Sequence, residues 1–194
     1  MRFYSYYSVT QFSNCYLLGG EAPGEALLID PGIFDEGLLA LIEGNGWYVR
    51  HVLLTHSHPA HVNGIRTLRK VYDVRVHALD PSVLDFPAER LEESAELRLA
   101  GFPIRVLPTP GHSNDSVCFH IGRMLFSGDT LSTGSVGETS SEYEHALLLG
   151  SIRSKLLSLP QGVFLFPGHG PPSTLELERR YNPYLATPPG SPLQ

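Results

Sequence analysis

The sequence predicts a mixed α/β fold in which two β-sheets are enclosed by helices. Three observations carry that expectation. Short apolar runs of strand length recur along the chain, each stopped by glycine or proline, and four other stretches carry helical periodicity. The two kinds do not alternate strictly, as a doubly wound sheet would require. Strands come first, then strands mixed with helices, then strands and helices again. At 194 residues the chain has the length of one large domain able to bury its own core.

The elements follow in order. RFYSYY is aromatic and alternating, and NCYLLGG and EALLIDPG are apolar runs closed by turn residues, so three strands open the chain. DEGLLALIEGNG has helical spacing. VRHVLLTH reads as a buried strand and VRVHA as another, with the helix-like VNGIRTLRKVYD between them. Further strands are expected at FPIRVLPT, DSVCFHIG, RMLFSGD and GVFLFPGHG. Helices are expected at YEHALLLGSIRSKLLSL and STLELERRY. Thr174 can cap the last of these, with glutamates early in it as the helix dipole prefers. No internal repeat or domain boundary is evident, so residues 1–185 read as one domain, and the proline-rich 186–194 as a loosely ordered tail.

Composition removes some function classes. Fourteen Lys and Arg against 20 Asp and Glu give a net charge of −6, with no cationic run. Phosphate contacts supply most nucleic-acid affinity, so a nucleic-acid partner is not expected. No apolar stretch approaches a membrane span and the N-terminus has no signal-peptide core, which predicts a cytoplasmic protein without a membrane partner. Cys15 and Cys118 lie in apolar, strand-like surroundings and read as buried, reduced thiols.

Chemistry concentrates where histidine and aspartate fall at strand ends. His56 and His58 follow the run HVLL two residues apart, so both imidazoles can face one ion, and His61 comes next. TPGHS places His112 after FPIRVLP, FSGDT places Asp129 after RMLF, and FPGHG places His169 after GVFLF. Glycine precedes each of these three, and strand-end loops are where a scaffold presents functional side chains. Five imidazoles and one carboxylate suit Zn²⁺, with Fe²⁺ or Mn²⁺ as alternatives. His51, His77, His120 and His145 read instead as ordinary solvated residues.

THSHPAHVNG, ALLIDPG, LPTPGHSNDSVCF, LFSGDTL and FPGHGPPSTLELERRYNPYL together resemble the metallo-β-lactamase superfamily, in particular its small glyoxalase II-like (hydroxyacylglutathione hydrolase-like) branch. The likeness runs from about Tyr6 to Leu185. It implies a four-layer αββα sandwich with metal at one edge between the sheets. It also implies a first metal held by His56, His58 and His112, and a second held by His61 and His169. Asp129 would bridge the two and orient the attacking water. Asp30, in IDPG, would support the metal-binding loop; the plainer alternative is that it only starts the turn at Pro31 and Gly32.

The chain departs from the family pattern H-x-H-x-D-H at one position, where Ala60 replaces the aspartate that ligates the second metal. The expectation is one firmly bound Zn²⁺ and a second site that is weak or empty. Asp115 and Glu138 are the nearby carboxylates that could compensate or face the substrate. The leading function is a metallo-hydrolase that cleaves a thioester or ester by a metal-activated water, at a reduced rate. Its partner would be a small molecule, a glutathione thioester being the class-level expectation. Two alternatives stand beside it. One is a mononuclear iron persulfide dioxygenase-like enzyme using His56 or His58 with His112 and Asp129. The other is a metal-binding protein that has lost turnover.

Overall fold

The computed structural model describes residues 1–93 and 96–185. Its first sheet contains β1 (Arg2–Ser8), β2 (Ser13–Gly19), β3 (Gly24–Ile29), β4 (Trp47–Leu53), β5 (Arg75–Ala78) and β6 (Glu89–Arg90), side by side in sequence order. The first three pair antiparallel, and β3 to β6 pair parallel. The second sheet begins with the antiparallel meander β7 (Glu96–Leu99), β8 (Phe102–Pro108), β9 (Val117–Ile121) and β10 (Met124–Gly128). A two-stranded ribbon, β11 (Leu131–Ser132) and β12 (Ser135–Val136), follows. Then β13 (Phe164–Pro167) adds parallel to β10, and β14 (Ser173–Thr174) closes the far edge.

Alternation along the strands sorts side chains into three layers of core. From the first sheet, Cys15, Leu17, Ala26, Leu28 and Val52 face outward onto helix α1 (Glu36–Gly44) and the short helices α2 (Pro59–Val62) and α3 (Ile65–Leu68). Their neighbours Tyr16, Leu18, Leu27, Ile29 and Leu53 face inward and meet Ile104, Val106, Val117, Phe119 and Phe126 of the second sheet. On its other side Leu107, Cys118 and Leu125 pack against Leu148 of α4 (Glu142–Ser151) and Leu175 of α5 (Leu175–Tyr181). The result is the expected αββα sandwich. Both cysteines are buried and unpaired, as expected. Among the described residues no helix is long and apolar enough to cross a membrane.

The cap expected at Thr174 forms, and Asp35 caps α1. The Asp35 side chain accepts from Leu38 N at 2.9 Å, and Thr174 accepts from Leu177 N at the head of α5. Two expected helices differ. Residues 62–73 do not form one helix, because Gly64 N donates to Pro31 O at 2.9 Å instead of extending α2, and α3 restarts beyond it. The helix expected over 143–159 starts one residue earlier and passes at Ile152 into a π-helical turn that runs to Leu156.

The four histidines read as solvated need correction. His51 and His77 are strand residues on β4 and β5, both buried, with His51 Nδ1 3.2 Å from His77 Nε2. His120 is half-buried on β9 and His145 half-buried on α4. For His51 and His77 the reason is that a polar residue inside a parallel strand carries no local signal of burial. The stretch 186–194 lies outside the described residues.

Candidate metal centre

The site forms where both sheets end on the same side. After β4 the chain runs through Leu54 and Thr55 into His56. Thr55 is fixed at three points: its N and Oγ1 donate to Asp30 at 2.8 and 2.5 Å, and its carbonyl accepts from Val117 N of the opposite sheet. His58 follows on an extended residue that precedes Pro59, and Pro59 opens α2, which carries His61 inward. His112 lies on the loop between β8 and β9, Asp129 just beyond β10, and His169 just beyond β13. Close approach dictates the glycine before His169. A Cβ on Gly168 would stand 2.5 Å from Asp129 Oδ1 and 2.6 Å from the His61 ring.

All six expected residues converge in two groups that share Asp129. His56, His58, His112 and Asp129 form the first, and His61, Asp129 and His169 the second. Within each, one donor atom per residue lies within 4.8 Å of the others. His58 Nδ1 is 3.1 Å from both His56 Nε2 and His112 Nε2. Asp129 Oδ2 is 3.8 Å from His56 Nε2, 3.7 Å from His112 Nε2 and 3.5 Å from His61 Nε2. His169 Nδ1 is 2.8 Å from Asp129 Oδ1. His61 Nε2 is buried and has no hydrogen-bond partner among the described residues. Imidazole nitrogens crowded at about 3 Å, with a carboxylate and an unpartnered buried nitrogen, are the donor set a divalent ion requires. The residues present therefore fit a metal.

The two groups differ in charge state. Burial drives His56 down to about 2, and burial with the neighbouring His112 lowers His58, so these rings are neutral and able to ligate. Burial also opposes charge on His61, yet the carboxylates of Asp129 and Asp30 on either side push its pKa up to about 10. Asp129 is held well below the ordinary carboxylate range. Burial works against that, and the contacts with His169 and His61 outweigh it.

Asp30 is buried, with φ of 51°. Its Oδ2 is 3.1 Å from His61 Nδ1, so it both makes the turn and contacts the segment that carries His56, His58 and His61. The compensating carboxylates fall outside both donor groups. Asp115 accepts from Ser113 Oγ at 2.7 Å, and Glu138 contributes its backbone carbonyl, 2.8 Å from His112 Nδ1. Sequence reading missed the clamp on the His169 loop. Asn14 Nδ2 donates to Pro167 O and Gly170 O at 3.0 and 2.8 Å, and Tyr16 OH donates to Pro167 O at 2.5 Å. A cavity of about 340 Å³ opens over the centre, lined by His112, Asp129, Ser132, Glu138 and His169 among others.

The family model of the metallo-beta-lactamase superfamily matches residues 9–169. The chain belongs to that superfamily. Among curated members, hydroxyacylglutathione hydrolase GloC of Haemophilus influenzae is 31% identical over 204 residues, with 91% of this chain and 95% of that protein covered. Among solved structures, ETHE1 from Myxococcus xanthus superposes with a TM-score of 0.87 at 26% identity, covering 95% of this chain and 84% of that one. TTHA1623, solved in a di-iron-bound form, gives 0.79 at 33% identity, covering 94% of this chain and 100% of the other. As a superfamily member with these relatives, the chain is a metallo-hydrolase at the level of general class.

Proposed function

We propose that the chain hydrolyses a thioester or related ester of a small molecule, using one firmly held divalent ion. His56, His58 and His112 would hold the ion, with Asp129 at its side. The observation that carries the reading is the convergence of three imidazole nitrogens on Asp129 at the floor of an open cavity. When bound, a dication supplies Lewis acidity towards a carbonyl and a nucleophile at neutral pH. Asp129 is anionic at neutral pH and pinned by His169, so it acts as an acceptor that orients a water. Glu138, through its carbonyl, fixes the His112 ring with Nε2 towards the site. The relationship to a hydroxyacylglutathione hydrolase supports a glutathione-type thioester as substrate, and imidazoles with one carboxylate make zinc the first metal to test.

The second group would bind more weakly. Ala60 offers no ligand there, leaving His61, His169 and a shared Asp129. An ion would also have to displace the proton that Asp30 and Asp129 stabilise on His61. The deciding experiment purifies the protein without added metal, measures metal per chain, and assays an acyl thioester before and after chelation. About one tightly held ion and chelator-sensitive hydrolysis are expected. Undiminished hydrolysis by metal-free protein would sink the reading.

A second reading, a persulfide dioxygenase-like enzyme, is favoured by the same first group, since two imidazoles and Asp129 can make an iron triad. Oxygen consumption with a glutathione persulfide, together with native iron content, separates the two.

A further inference from the structure

A second cleft opens beside the metal centre, and nothing in the proposed chemistry uses it. Its volume is about 430 Å³. Ser57, between His56 and His58 in the chain, belongs to its wall. Val62 of α2 and Leu84 and Phe86, from the segment after β5, make an apolar lining, all partly buried. At the rim Arg66 of α3 donates to the Asp85 carboxylate, an exposed ion pair.

Charge gives this pair its interest. The protein carries a net −6, and the cavity over the metal centre is lined by the carboxylates of Asp129 and Glu138. Among the described residues lining the two cavities, Arg66 is the only lysine or arginine. A guanidinium has five donors, so one carboxylate leaves room for a second on its fork. The neighbouring Asp85 retains acceptor capacity for an ammonium. A group with carboxylate and ammonium on one carbon matches such a rim, and an apolar stem behind it matches Leu84 and Phe86.

We propose that this cleft is the recognition subsite for the thiol half of the substrate. It takes a thiol ending in a free α-amino-acid head, whose carboxylate sits on Arg66 and whose ammonium sits on Asp85. The inference rests on the thioesterase reading for its setting, but binding tests it independently of turnover. The probe is S-methylglutathione, which has no acyl group to hydrolyse, titrated calorimetrically into the metal-loaded protein. Arg66→Gln should weaken its binding by roughly tenfold or more, the scale of one charge-assisted hydrogen bond. Asp85→Asn should weaken it similarly, yet leave unchanged the affinity for the N-acetylated probe, which lacks the ammonium. Both side chains are exposed, and unchanged thermal midpoints confirm folded variants. In kinetics, Arg66→Gln should raise KM for a glutathione thioester with kcat held, and alter neither parameter for an acyl thioester of a neutral thiol. Equal binding by wild type and both variants, or no binding by wild type, would overturn the subsite. Loss of probe binding in the variants, with no thioester cleaved by any form, would uphold the subsite and remove the thioesterase reading instead.

Discussion

Asp30 Oδ2 stands 3.1 Å from His61 Nδ1, and both side chains are buried. A carboxylate there makes Nδ1 the donor and turns Nε2 towards Asp129. Because the same Asp30 holds Thr55, one buried charge sets the pose of the loop bearing His56 and of the helix bearing His61.

Asp30→Asn keeps the shape but weakens the hold on Thr55, and with it the loop that carries His56 and His58. Metal affinity should fall by about 10- to 100-fold, the usual effect of losing such a supporting carboxylate. Competition with a chromogenic chelator measures it. Asp30→Ala should in addition lower stability by about 3 kcal/mol, since buried donors lose their acceptor.

Ala60→Asp returns a carboxylate next to His61. The variant should hold two ions per chain where the parent holds one, with the second bound about tenfold tighter or more, as a close added charge dictates. Thioester hydrolysis should rise with it. Metal analysis after gel filtration gives the stoichiometry, and an unchanged count would mean position 60 does not face the second ion.

His77 makes stability depend on pH. Burial lowers its pKa from 6.5 in the unfolded chain to about 4 in the fold. Between those values the unfolded chain binds the extra proton, so stability is highest above pH 6.5 and declines as pH falls towards 4. The loss attributable to this group is at most about 3 kcal/mol. Denaturant melts of wild type and His77→Gln across that window should show the steeper fall in wild type.

Glu178 accepts from Gly134 N at 2.8 Å, Asn182 Nδ2 at 2.9 Å and Ser173 Oγ at 2.5 Å, almost wholly buried. Glu178→Ala strands three donors and should cost about 2–4 kcal/mol. It also frees the β11–β12 ribbon beside the cavity, so hydrogen exchange at Gly134 should quicken.

The strands were legible where apolar runs were long enough, as in HVLL and NCYLLGG. The metal ligands were legible because strand ends and glycine mark them in the local sequence. β6, β11, β12 and β14 are two residues each, too short for any period to appear. The clamp of Asn14 on Gly170 joins residues 156 apart, and no local pattern encodes such a pair. Glu178 read only as an early glutamate of a helix, since the partner that ties it to the ribbon, Gly134, lies 44 residues earlier.

The donor set is also divided in time. His56, His58 and His61 belong to the segment attached to the first sheet, while His112, Asp129 and His169 arrive with the second. A nascent chain emerges from its N-terminus. Three imidazoles therefore leave the ribosome long before the carboxylate that both groups share. Until Asp129 has cleared the exit tunnel neither set is complete, and the second waits for His169 as well. The two groups therefore become able to select an ion at different lengths of chain.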